Sequence, residues 1–274
     1  NQKILVLTNS KIVQISSNNI IDNSFNTGTG FKYITTLSRS LELNDFAVQP
    51  DGKILVMGEF NRFNDLNVHS LIRLNTDGSL DNTFNFLPNY PTAKVTSNEF
   101  NKILIQDDGK IIIIGDIGNG NLRNITRLNP DGTKDTTFNI ANGYYGTICL
   151  APNNKYYVSF QLTIGSNYNM KSLARINSNG TFDSSFPVVD FLPVNDYLTT
   201  INKILIDDNH IYVGGNFARL VSSTSAFNRR CLLRLNLDGT LDTTFNIGTG
   251  FTSSSYYNVA SVYEIKKQDD GKIL

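Results

Sequence analysis

Tryptophan is absent from the 274 residues, methionine, histidine and cysteine occur twice each, and neither sign of charge is in excess, with 24 Lys and Arg against 24 Asp and Glu. Each shortage closes a class of readings. Without a basic surplus there is no electrostatic footprint for nucleic acid or an anionic membrane surface, so no nucleic-acid partner is expected. The longest apolar runs, such as Ile111 to Ile114, are far short of a membrane span, and no membrane insertion is expected. Cys149 and Cys231 fall in different parts of the repeat without metal-ligand spacing; they read as small buried hydrophobes, not as a disulfide framework. His69 and His210 are isolated, so neither a metal site nor a catalytic triad is expected.

What the chain does contain is one sentence repeated. Variants of Asn-x-Asp-Gly-x-x-Asp-x-x-Phe run from Asn75 to Phe84, Asn129 to Phe138, Asn177 to Phe186 and Asn236 to Phe245, with a worn copy ending at Asp22 and Phe25. A second phrase, Gln49 to Gly58, is echoed at Gln106 to Gly115, weakly around Lys155 and His210, and again at Gln268 to Leu274. Aligned on Lys3, Lys53, Lys110, Lys155, His210 and Lys272, the unit recurs every 45 to 62 residues, a period that signals a repeat architecture.

Each unit divides into four short β-prone segments. In the second unit these are Phe46 to Gln49, Lys53 to Phe60, Leu71 to Asn75 and Leu80 to Phe84. Pro50-Asp51-Gly52 and Asp77-Gly78 supply the turns, the latter read as a two-residue hairpin. Segments such as Ile54 to Met57 and Ile111 to Ile114 are apolar at consecutive positions, as in strands buried on both faces. The expected fold is all-β, a β-propeller of four-stranded antiparallel blades. Its blade units span roughly 1–26, 44–85, 100–139, 146–187 and 201–246, with a partial blade at 259–274. Phe25, Phe84, Phe138, Phe186 and Phe245 would plug the gaps between blades. Because the same strand opens the sequence and is cut off after Leu274, a segment of a larger ring or array is expected.

The phrases Gln49-Pro50-Asp51-Gly52-Lys53-Ile54-Leu55-Val56, Leu71 to Asn75 and Asp242 to Phe251 resemble the delta-60 repeat of very large secreted and surface proteins of bacteria, mainly Bacteroidota. The resemblance covers essentially the whole chain. It implies a propeller module with a structural or binding role and brings no catalytic residue set. Two departures stand out: Asn153-Asn154 replaces Asp-Gly in one turn, and Ser16 to Ile21 occupies the first hairpin.

Arg73, Arg127, Arg175 and Arg234 each precede Asp81, Asp135, Asp183 or Asp242 by eight residues, with Gln14 in the first unit, and read as scaffold pairs. The Asn-x-Asp-Gly runs loosely resemble a calcium loop but lack its bidentate Glu; a hairpin turn is the preferred reading, and no metal or cofactor is expected. Asp45, Lys102, Gly146, Lys203 and Lys266 at the first strands offer no convergent acid pair, so the chain is not expected to be an enzyme. Function is expected in the irregular loops 61–70, 118–124, 163–172 and 218–230 and in the connections 86–99, 187–199 and 247–259. Their tyrosines Tyr90, Tyr168, Tyr197, Tyr256 and Tyr257, with Tyr144 and Tyr145 between the third and fourth blade units, are the candidate ligand-binding residues. The expected role is a non-catalytic, extracellular or cell-surface recognition scaffold that binds protein or carbohydrate beside other domains of the same chain. A phage virion protein is the alternative and a polysaccharide-processing enzyme the third reading.

Overall fold

Every complete blade is built around a middle strand that is buried almost from end to end. The computed structural model describes residues 3–34, 40–86, 102–115, 124–141, 144–161, 171–193, 199–220, 230–248, 250–251 and 260–274. They fall into two units, Asn1–Thr137 and Phe138–Leu274.

The first unit contains β1 (Ile4–Leu7), β2 (Ile12–Ile15), β3 (Phe31–Lys32), β4 (Glu42–Val48), β5 (Ile54–Glu59), β6 (Arg62–Phe63), β7 (Leu66–Asn67), β8 (Leu71–Leu74), β9 (Lys102–Ile105), β10 (Ile111–Gly115) and β11 (Asn124–Leu128). All pairings are antiparallel: β1 with β2, β5 between β4 and β8, and β10 between β9 and β11. Alternation along β5 explains its full burial. Ile54 and Val56 pack with Ile12, Phe25, Ile72 and Leu74, while Leu55 and Met57 face the other way, onto Ile111, Ile113 and Leu128. A middle strand thus contributes to two cores, which is why its sequence shows no polar alternation.

The second unit contains β12 (Tyr144–Ala151), a 3-10 turn at Pro152–Asn154, β13 (Lys155–Gln161), β14 (Lys171–Ile176), β15 (Val189–Leu192), β16 (Thr200–Ile206), β17 (His210–Asn216), β18 (Arg219–Leu220) and β19 (Leu232–Asn236). The strands order as β12-β13-β14-β15-β18 and β16-β17-β19. Tyr157, Leu173, Ile211, Val213 and Leu235 share one core, with Phe186 inserted among them as the plug expected from the repeat. Phe25, Phe84 and Phe245 occupy the corresponding places in their own cores, and Phe138 meets Tyr156 edge-on at 6.3 Å.

A bulge interrupts β4, β12 and β16 at the same point, between Leu43 and Asp45, Tyr145 and Ile148, and Ile201 and Lys203. Bulges re-aim side chains. Asp45 Oδ2 accepts from the Ile103 amide at 2.9 Å, and Asn202 Nδ2 donates to Ser261 Oγ at 2.9 Å and the Val262 carbonyl at 3.0 Å, so each ties its blade to the next.

Two expectations need correction. The segment Leu80 to Phe84 is not a continuous fourth strand: only Leu80 pairs, with Leu74, and Lys134, Phe182 and Leu241 repeat that single bridge. The chain turns immediately because Asp81 Oδ1 accepts from the Thr83 amide at 2.9 Å and its hydroxyl at 2.6 Å, a local bond that competes with the ladder. A true fourth strand appears later, where β15 pairs Val189 with Leu173 and Phe191 with Lys171, beyond the 146–187 boundary. The Asp77-Gly78 turn is also not a two-residue hairpin. Asn75 N–H donates to the Ser79 carbonyl and Gly78 N–H to the Asn75 carbonyl, leaving three residues in the loop with only Gly78 left-handed, at φ 89°. The worn first copy makes the same turn with Asn19 at φ 60°, and Asn153 and Asn154 take φ 61° and 55° where Asp-Gly is missing.

Candidate functional site

The repeated polar residues meet at one place in each blade. In the second blade Arg73 Nε donates to Asp81 Oδ2 at 2.6 Å, Lys53 Nζ reaches the same oxygen at 2.9 Å, and Arg73 Nη2 donates to Thr83 Oγ1 at 3.3 Å. The guanidinium also lies 4.8 Å from the centre of the Phe84 ring. The third blade repeats the cluster with Arg127, Lys110, Asp135 and Thr137, and the fourth with Arg175, Lys155, Asp183 and Ser185. In the fifth, Arg234 Nε holds Asp242 at 2.6 Å, while His210 takes the lysine position with Nε2 3.5 Å from Oδ2. In the first, where Gln14 replaces the arginine, Asp22 is held by Lys3 at 2.8 Å and by the Ser24 amide and hydroxyl at 3.0 and 2.6 Å.

Electrostatics follows geometry. Burial opposes ionisation of Asp81 and Asp135, but hydrogen bonds from the neighbouring threonine, lysine and arginine outweigh it and hold both carboxyls well below the usual range. For Asp183 the bond from Lys155 dominates and acts in the same direction. For Asp242 burial is again overcome, by Thr244 and Arg234, and its pKa is lowered to about 2. The arginine–aspartate pairs expected from the eight-residue spacing are all present. The lysine's share in them was missed, although its recurrence in register with the arginine was the available signal.

The cluster also reaches the next blade. Arg73 Nη1 donates to the Pro130 carbonyl at 2.5 Å, and Asn85 N–H, just after Phe84, donates to the Asp131 carbonyl at 2.7 Å. Asn26 to Asp77 and Asn139 to Asn179 are equivalent backbone bonds, at 2.7 and 2.8 Å. The receiving turn has to be glycine as well as left-handed: a Cβ on Gly132 would lie 2.8 Å from the Phe84 ring and 3.0 Å from the Asn85 nitrogen.

A family model described as a domain of unknown function, DUF5122 beta-propeller, matches residues 49–84, 106–138, 152–186 and 207–245, more than half of the chain. The chain belongs to this family. Each DUF5122 match begins at the turn before a middle strand and ends on the plug phenylalanine, so each carries its whole cluster, Arg–Asp–Lys in the first three and Arg–Asp–His in the fourth. The chain is also similar, at 8% identity and a TM-score of 0.44, to a crystal structure described as the extracellular domain of a hybrid two-component system from B. thetaiotaomicron; the similarity covers 98% of this chain and 37% of that one. No curated protein matches the sequence.

The irregular segments lie partly inside the DUF5122 matches, as β6, β7 and β18 do, and partly outside them, as β3 and β15 do. In the first unit, β6 and β7 form a two-residue hairpin through Asn64 and Asp65, both left-handed, and β6 pairs with β3 of the preceding connection. Phe31, Phe60 and Phe63 are buried beneath it with ring centres 4.8 and 4.9 Å apart, and Asn64 Oδ1 accepts from Gly30 N–H and Thr29 Oγ1. In the second unit β18 pairs with β15 in the same way, over Phe191 and Phe217. Loop and connection therefore meet at one end of a blade, as the up-and-down order requires. Leu66 and Asp65 at the hairpin tip face solvent.

Tyr90, Tyr168, Tyr197, Tyr256 and Tyr257, and the side chain of Tyr144, lie outside the described residues. Tyr145 is corrected: it is 2% exposed, its hydroxyl donates to the Ala141 carbonyl at 2.7 Å, and burial raises its pKa to about 12. It is a core residue at the start of a run buried from 145 to 147, not part of a binding surface. Among the described residues, no helix is long and apolar enough to cross a membrane.

Proposed function

We propose that this chain is a non-catalytic, extracellular recognition scaffold that binds protein or carbohydrate through its unrepeated loops. The observation that carries the reading is where the repeated chemistry goes: arginine, lysine and aspartate of the second, third and fourth blades are paired within their own blade, and Arg73 also holds the next one. A buried, charge-neutralised carboxylate is a poor general acid or nucleophile. Segments that differ between blades, such as the β6–β7 hairpin, are instead mounted on buried aromatic anchors with polar tips outward, the arrangement in which rigid scaffolds present binding loops. The extracellular, bacterial-surface setting rests on the delta-60 resemblance.

The test is binding to a printed array of bacterial and host glycans and to fixed cells. Joint replacement of Tyr256 and Tyr257 by Ala, and separately of Asp65 and Leu66, is expected to leave the melting temperature in place and weaken retention about tenfold in at least one variant, about 1.4 kcal/mol. Unchanged retention in both variants would count against the loop-end reading.

A further inference from the structure

The junction between the fourth and fifth blades departs from the others in three correlated ways. The residue after the plug phenylalanine is Pro187, not Asn, and an imide nitrogen has no proton to donate to the next blade's turn. Arg175 accordingly does not reach the carbonyl of Leu237, which stands where Pro130 receives Arg73; its Nη1 points at the Tyr157 hydroxyl at 3.5 Å, the edge of hydrogen-bond range. The preceding turn, Pro152-Asn153-Asn154, carries two left-handed asparagines where the second blade has one left-handed glycine. The Arg175 side chain is 20% exposed, against 8% for Arg73 and 6% for Arg127. Arg234, next to the partial last blade, is open to a similar degree.

A cavity of about 240 Å³ occupies the space left by the missing contacts. Ala151, Pro152, Tyr157 and Leu237 line it with apolar surface, and Lys155 and Arg175 supply its charge. Those two cations share one carboxylate, Asp183, at 2.8 and 2.7 Å, which leaves one positive charge uncompensated at the wall. We infer that this cavity binds a small organic carboxylate, its apolar body against Ala151, Pro152 and Leu237 and its carboxylate on Arg175 Nη1 and Lys155 Nζ. An inorganic anion would leave the apolar wall unused, and a neutral ligand would leave the charge unpaired. The volume is below the roughly 300–1,000 Å³ of drug-sized sites, which restricts the occupant to metabolite size.

Calorimetric titration of the intact chain with benzoate, 3-phenylpropanoate and 4-methylpentanoate at millimolar concentration, each beside its primary amide, tests this site. At least one carboxylate should bind saturably at one site per chain, with its amide at least about tenfold weaker, about 1.4 kcal/mol. Ala151→Leu, which fills the apolar end, should abolish binding while the fold, checked by circular dichroism, persists. Pro187→Asn, which restores the missing backbone donor, should raise the melting temperature and weaken binding. Failure of all three carboxylates to bind, equal binding of acid and amide, or undiminished binding in folded Ala151→Leu would each overturn the assignment. None of these outcomes bears on the loop end, whose test is separate.

Discussion

Arg73 is the residue in which the repeat is most concentrated: it bonds the carboxylate eight positions on, the Thr83 hydroxyl, the Phe84 ring face and a carbonyl of the following blade. Removing it leaves Asp81 buried with only Lys53, itself half-buried, to balance its charge. Arg73→Met is therefore expected to destabilise by about 3–5 kcal/mol, the usual cost of breaking a buried ion pair from one side. Urea unfolding should show this as a lower midpoint at unchanged slope. The same change at Arg234, more exposed and facing a histidine in the lysine position, should cost less. Much of this was legible in the sequence, because a fixed eight-residue offset recurring four times demands a fixed geometry. The lysine recurs with it, but which carboxylate it meets was not legible, since that partner lies 28 positions away and only the fold brings the two together.

At the scale of the element, the strand pattern was legible where it is local and apolar. Residues 54–59 and 111–115 form middle strands, and Gly52, Gly78, Gly109 and Gly132 turn left-handed where Asp-Gly indicated. The fourth strand was misplaced because Leu80 to Phe84 has strand-like composition, yet Asp81 satisfies the Thr83 amide from its side chain and ends the ladder. Propensity lost to a side-chain–backbone bond. The hairpin of β6 and β7 was hidden in an irregular loop because its turn is Asn64-Asp65, without glycine. Tyr145 was misassigned for the opposite reason: a polar aromatic in a segment read as a connection belongs to strand β12, where residues 145–147 are buried in succession.

At the scale of the whole molecule, the clusters act as a set under acid. Asp81, Asp135, Asp183 and Asp242 all have carboxyls depressed in the folded state. Groups of this kind contribute stability above the unfolded carboxylate pKa and lose it as pH falls through the folded one. The melting temperature is expected to be flat from about pH 8 to 5, to begin falling near the unfolded aspartate value of about 3.9, and to continue falling to about pH 2. A decline beginning near neutrality would point to groups other than these carboxylates.

The central claim is that the repeated letters are the scaffold, and the backbone amides that close each cluster test it most directly. Asp81, Asp135, Asp183 and Asp242 each donate to the carbonyl of their own clamp arginine, at 2.9 to 3.0 Å, from what is otherwise a turn at the blade's edge. Hydrogen exchange resolved to single amides should find these four protected on the timescale of the middle strands β5, β10, β13 and β17. Exchange as fast as at the Asp65 hairpin tip would contradict the account.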